Sequence, residues 1–210
     1  MTKGVPIEQI LGAVAGGVRE IGENRVQEAQ TKQSQIGTRY RVPGTDFTDF
    51  RWHLIGRLQR NKAKFAVELF DVVHSVDSLE LIEALDRQAA LRQAQRERKL
   101  EILLQVNLSG EATKGGCRQD QAQGLAEAVL RSGYLKWAGL MTMAPLSENP
   151  EEARPFFRQL RRLRDQLQDR MDVSPLDLSM GMSQDFEVAI QEGATLVRIG
   201  TAIFGERVTQ

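Results

Sequence analysis

The sequence predicts a parallel (β/α)8 barrel of the TIM type with its first strand missing from the chain, and three observations lead there. Strand-like and helix-like segments alternate along all 210 residues, the mark of parallel strands joined by helical crossovers. The central strand candidate, Glu101-Ile-Leu-Leu-Gln-Val-Asn-Leu108, is almost continuously apolar, as a strand covered on both faces must be. Near the C-terminus, residues 178–185 and 197–205 each run an apolar strand straight into Gly and hydroxyl residues. In such barrels the turns after the last two strands are where phosphate is most often held. A doubly wound open sheet is the competing layout, but no Gly-x-Gly-x-x-Gly follows an early strand.

Taken in order, the elements begin with a helix over 7–16, and Pro6 stands where helix starts favour it. A short strand over 19–23 and a helix over 25–35 follow. Residues 37–50 contain Pro43 and Gly44 and read as a loop between elements. Residues 52–56 read as a strand, 61–70 as a helix, and 70–76, rich in Val, as a strand. Asp77-Ser78 resembles a helix cap, and 79–98 carries Leu81, Ile82, Leu85, Ala89 and Leu91 as the stripe of a surface helix. Beyond the strand over 101–108, helices over 120–131 and 151–170 flank a strand over 135–143. With no linker rich in Pro, Gly or Ser, residues 1–210 read as one domain. Seven strands leave an eight-stranded barrel one short. Because the chain enters a helix at Pro6 almost at once, the absent strand is the first, and Lys3 stands just beyond where it would end; on local sequence alone it reads as a solvated N-terminal lysine.

Composition narrows the function. With 41% hydrophobic and 27% charged residues, this is a globular chain with a sizeable core. Lys plus Arg and Asp plus Glu balance at 28 each, so no global field favours nucleic acid or an anionic membrane. No apolar run is long enough to span a bilayer, and the N-terminus lacks the pattern of a signal peptide. Cys117 has no second cysteine to pair with, and a reducing, cytoplasmic location is expected. The same residue reads as a passive loop thiol, and His53 and His74, on separate strands, form no metal-binding pattern. Arg158, Arg161, Arg162 and Arg164 read as a solvated helical face.

The two C-terminal tracts carry the chemistry. Glycine lets backbone N–H groups approach an anion, and Ser or Thr adds hydroxyl donors. Ser179, Ser183, Gly200 and Thr201 are therefore the candidate phosphate cradle, ordinary turn chemistry being the alternative for either tract alone. Arg198 ends the last strand, pointing into the same mouth. Met141 and Met143 end the strand over 135–143 near the same mouth, where one packs on a bound ring or both are ordinary core fillers. The Lys114-Gly115-Gly116 turn borders the opening.

Four motifs in one order, Gly22-Glu-Asn-Arg-Val-Gln-Glu28, His53-Leu-Ile-Gly-Arg-Leu-Gln-Arg-Asn-Lys62, Ser179-Met-Gly-Met-Ser183 and Arg198-Ile-Gly-Thr-Ala-Ile-Phe-Gly205, resemble the pyridoxal phosphate homeostasis protein family. The resemblance runs from about Lys3 to Gly205. It implies a single barrel domain like the N-terminal domain of alanine racemase, holding pyridoxal 5'-phosphate (PLP) as a Schiff base on a lysine at the end of the first strand. Lys3 matches that lysine by its spacing to Pro6. The resemblance also sets Arg198 against the pyridine nitrogen and makes Asn24 the residue beside the cofactor ring, with Glu23 orienting or salt-bridged. The family's N-terminal helix and first strand are absent here, so the edges of strands two and eight are expected to lie open and Lys3 to sit on a loose end.

Arginine donates to the ring nitrogen and keeps it unprotonated, which weakens the ring as an electron sink. The second domain and tyrosine base of a racemase are missing: Tyr40 and Tyr134 are the only tyrosines, and neither lies in a matching motif. A cytoplasmic, monomeric carrier or buffer of PLP follows, exchanging it with amino acids or PLP-accepting apoenzymes, without strong catalysis. An amino acid racemase, a regulatory protein sensing PLP status and a phosphorylated-sugar barrel enzyme are the other readings.

Overall fold

The computed structural model describes residues 1–39, 50–92, 98–111 and 114–205. Among them seven strands, β1 Glu20–Glu23, β2 Arg51–Leu54, β3 Val72–Val76, β4 Leu100–Gln105, β5 Leu135–Met141, β6 Asp177–Met182 and β7 Leu196–Arg198, lie in one sheet in chain order. Every neighbouring pair is parallel. An open doubly wound sheet would reverse its strand order at a switch point; this one never does, and it curls until side chains of β3 and β6 meet inside. Helix α1 Ile7–Ala15 precedes β1, and α2 Val26–Arg39, α3 Ala63–Leu69, α4 Leu79–Ala90, α5 Ala122–Arg131, α6 Arg154–Met171 and α7 Phe186–Gln191 fill the crossovers, with α8 Thr201–Phe204 after β7.

Sequence explains why these segments fold as they do. All five residues of β3 are buried, which requires cover on both faces. In α6, Pro155 occupies the first turn, and Phe157, Leu160, Leu163 and Leu167 form the buried stripe. Burying each stripe residue contributes about 2 kcal/mol. Most apolar side chains join the layer between strands and helices. A smaller cluster of Val72, Leu103, Ala138 and Met141, with Met143 and Leu196 packed on it, fills the barrel interior.

Several expectations change in detail. The helix beginning at 79 ends as α4 at Ala90, with residues 93–97 outside the described set; the loop expected over 37–50 falls largely on undescribed residues 40–49. Ser78 holds the cap position of α4 but makes no side-chain cap bond, and Asp77 instead accepts from the Gly116 N–H at 3.2 Å. The arginines of α6 are more than a solvated face. Arg154 and Arg158 donate to the buried Glu192 carboxylate at 3.0 and 2.9 Å, and Arg161 lies 3.3 Å from it, so the cluster ties α6 to the end of α7.

The gap between β1 and β7 is bridged at the mouth, contrary to the expected loose end. The Met1 amine donates to the Ile199 carbonyl, and the Thr2 N–H donates to the Gly22 carbonyl at 2.9 Å. Two backbone bonds therefore join the residue pair to both sheet edges where the strands end.

Candidate cofactor site

Lys3 lies in a tight turn. The Val5 N–H donates to the Thr2 carbonyl at 3.0 Å, and Gly4 between them has φ 68°, a conformation that favours glycine at the third position of such a turn. A buried ionic knot holds the turn from below. Lys32 Nζ donates to the Thr2 carbonyl at 2.5 Å, to Glu23 Oε1 at 2.6 Å and to Glu28 Oε1 at 2.8 Å. Thr2 Oγ1 donates to Glu23 Oε1, and the Gly4 N–H to Glu28 Oε1, each at 2.5 Å. Burial pushes the Glu23 carboxyl above its ordinary range, against the opposing pull of Lys32 and Thr2, and its Oε2 has no hydrogen-bond partner among the described residues. Glu23 is thus the salt-bridged residue expected, and Lys32, on α2, is its partner.

On the facing edge, Arg198 is buried at the end of β7. Its Nη1 donates to Ser179 Oγ and its Nη2 to the Thr142 carbonyl, both at 2.8 Å. Burial lowers its pKa to about 10, so it stays charged at neutral pH. An arginine has five N–H donors; these two bonds leave others for an acceptor in the mouth. One turn further along, the N–H groups of Gly200 and Ala202 both point at Ser183 Oγ at 3.3 Å. Two backbone donors converging on one oxygen are the donor set that a phosphate oxygen needs. A Cβ built on Gly200 would lie 3.4 Å from the Met1 carbonyl oxygen, so this turn lies directly against the residues leading into Lys3.

The structure therefore brings Lys3, Ser183, Arg198 and Gly200 to one end of the barrel, with Thr201 exposed beside them. Ser179 lies deeper: it is fully buried, and its hydroxyl is already bonded to Arg198 and to His74 at 2.9 Å. Met141 is buried in the interior cluster, while Met143, packed on that cluster, is half-buried. Asn24 follows the knot residue Glu23, and its backbone is fixed by close approach: a Cβ on Gly56 would run into the Asn24 carbonyl. An open groove of about 730 Å³ extends from Asn24 over Arg25, Arg57, Arg60 and Lys62 to Asp77. Lys114, in contrast, is tied to Glu111 at 2.8 Å and to the Ala144 carbonyl at 3.2 Å.

Comparison with known proteins follows this geometry. The alanine racemase N-terminal domain family model matches residues 1–208. Over 206 residues the chain is 43% identical to the pyridoxal phosphate homeostasis protein of Aquifex aeolicus, covering 98% of this chain and 85% of that one.

The chain belongs to the pyridoxal phosphate homeostasis protein family.

The family's protein from Pseudomonas aeruginosa is 40% identical over 208 residues, covering 99% of this chain and 83% of the relative. Among solved structures, PipY of Synechococcus elongatus with PLP bound superposes with a TM-score of 0.84 at 38% identity, covering 97% of this chain and 90% of that one. Alanine racemase of Clostridium difficile, at 14% identity and a TM-score of 0.74 over 97% of this chain and 49% of that one, shares the fold. The family motifs pointed to Arg198 and the Ser183 and Gly200 turns, and the spacing to Pro6 pointed to Lys3. They did not single out Lys32, because a lysine among the polar residues of α2 looks like any surface lysine until β1 and Thr2 close over it. Nor did they reveal that His53 and His74 touch.

Proposed function

We propose that this single barrel domain binds PLP and serves vitamin B6 homeostasis as a cytoplasmic, monomeric carrier or buffer without strong catalysis. The observation carrying this reading is the convergence of the Lys3 turn, the Ser183 and Gly200 turns and the buried Arg198 at one end of the barrel. When bound, PLP supplies an aldehyde that reacts reversibly with amines. Lys3 provides the amine for a covalent link, and it must lose its proton before it can attack. Ser183, Gly200 and Thr201 hold the phosphate. Arg198 donates to the ring nitrogen, Ser179 holds Arg198 in place, and Asn24 and Met141 bound the ring's surroundings.

Two features favour a carrier over a racemase. A two-base proton transfer needs a second base and a covered pocket. Tyr134 precedes β5 at the opposite end of the barrel from the mouth, and Tyr40 lies outside the described residues. The groove beside Asn24 is open to solvent rather than covered, as exchange with amino acids or an acceptor apoenzyme needs. The kinship with PipY, whose solved structure includes one with PLP bound, supports the cofactor.

Borohydride reduction of the PLP-incubated protein, followed by peptide mass mapping, tests the reading. A pyridoxyl adduct on Lys3, absent in Lys3→Ala, is expected, with phosphate-anchored PLP affinity partly kept in that variant. An adduct only on other lysines overturns the site, and rapid amino acid racemisation at stoichiometric protein overturns the carrier role.

A further inference from the structure

The chain has two histidines, and both lie in one buried line of hydrogen bonds through the barrel. From the mouth, Arg198 Nη1 reaches Ser179 Oγ at 2.8 Å. Ser179 Oγ lies 2.9 Å from His74 Nδ1, and His74 Nε2 lies 2.8 Å from His53 Nδ1. His53 Nε2 meets the carboxylate of Glu20, the first residue of β1, whose side chain is 49% exposed at the base. His53, His74 and Ser179 are each at most 5% exposed.

When both imidazoles are neutral, the carboxylate end fixes the direction of this line. Arginine can only donate and an ionised carboxylate can only accept. Arg198 therefore donates to Ser179, Ser179 to His74 Nδ1, His74 Nε2–H to His53 Nδ1, and His53 Nε2–H to Glu20. Both imidazoles are then neutral Nε2–H tautomers and every group in the line is satisfied.

We propose that Glu20, His53, His74 and Ser179 are positioning residues for Arg198, and that they set the protonation of the cofactor pocket from the opposite end of the barrel. Net uptake of one solvent proton converts the line to its second satisfied state. His53 becomes an imidazolium, keeping Nε2–H on Glu20 and donating Nδ1–H to His74 Nε2. The remaining His74 proton then sits on Nδ1 and is donated to Ser179. Ser179, accepting from both Arg198 and His74, turns its own hydroxyl hydrogen away from His74 toward an acceptor in the pocket. The added charge lies at the Glu20 end of the line, where the carboxylate meets His53 Nε2, and not on His74, which is 2% exposed and whose pKa burial holds well below its ordinary value. The charged groups facing the line are Glu20 and Arg51 at the base, Arg51 being paired with Glu101 at 2.6 Å, and Arg198 and Asp185 at the mouth.

The link to the cofactor rests on the proposed PLP binding; the line itself does not. Nitrogen-15 imidazole spectra of the cofactor-free protein test the line, since no other histidine contributes. Two Nε2–H tautomers are expected at neutral pH. On acidification the pair should bind one proton as a unit, with the His74 proton moving to Nδ1. Glu20→Gln, at the half-exposed base, removes the stabilising charge and should lower that midpoint by about one pH unit or more. In the PLP-loaded protein the cofactor absorption should follow the same midpoint, shift with Glu20→Gln, and lose that dependence in Ser179→Ala. An Nδ1–H tautomer on His74 at neutral pH, or an unmoved midpoint in Glu20→Gln, overturns the line. A cofactor spectrum still tracking the histidines in Ser179→Ala overturns its coupling to the pocket. Failure to take up PLP would overturn the functional reading alone, and the imidazole spectra would still decide the relay.

Discussion

Replacing Lys32 by Met removes the one cation of the knot that holds the Lys3 turn. Lys32 Nζ makes three bonds of 2.5 to 2.8 Å, one of them to Glu23, whose side chain is 0% exposed. Breaking a buried pair from one side costs about 3 to 5 kcal/mol, since the remaining charge stays in a low-dielectric site. Glu23 has an escape: it can take up a proton. From its ordinary value of 4.5, protonation costs about 3 kcal/mol at pH 7 and about 1 kcal/mol at pH 5. The variant's folded state then binds a proton that its unfolded state releases above pH 4.5, so its stability falls as pH rises from there. Urea denaturation of both proteins at pH 7 and pH 5 measures this. The deficit should be about 3 to 4 kcal/mol at pH 7 and shrink by about 2 kcal/mol at pH 5. Adding Glu23→Gln to Lys32→Met should recover much of the loss at pH 7. A pH 7 deficit below about 1 kcal/mol, or one that does not change with pH, would refute the buried-charge account of the clamp.

Glu192→Gln loosens three arginines from the α7 end and should destabilise by about 2 kcal/mol at pH 7 in the same assay. Hydrogen bonds from Arg158 and then Arg154 hold the Glu192 carboxyl below its ordinary value, so the wild type's advantage is full above pH 4.5 and disappears as the pH falls through the lowered value. Gly181→Ala should cost more than about 2 kcal/mol, because Gly181 has φ 90° and its new Cβ would lie 2.6 Å from that of Ala189; thermal unfolding reads this. Burial, with Asp77 nearby, raises the Cys117 thiol to about 12, so iodoacetamide should label it only as fast as the protein opens, and labelling should accelerate in urea.

The alternation of segments and the continuous apolar runs determined a parallel sheet covered on both faces, because a strand such as β3, all five of whose residues are buried, can lie only between two covered surfaces; the resemblance to a barrel family chose the barrel over the open sheet. The glycine and hydroxyl tracts at 179–183 and 198–205 stood out as the proposed phosphate cradle for a similarly local reason: close approach to an anion would restrict which residues can stand there. Long-range closure was not legible. Lys32 looks like a solvent-facing lysine of α2, and only when Thr2 and Glu23 fold over it do its three bonds exist. His53 and His74, 21 residues apart in the chain, became neighbours because β2 and β3 are adjacent and parallel with both side chains turned inward. Ser179 changed partners for a related reason. Its place in a Gly-rich motif suggested a phosphate ligand, but the strand's inward alternation carries its hydroxyl beneath Arg198 to His74. Residue chemistry and periodicity act within a few positions, whereas a buried ion pair or imidazole line depends on which distant atoms share one water-free space, and that is decided only when the sheet curls into a barrel.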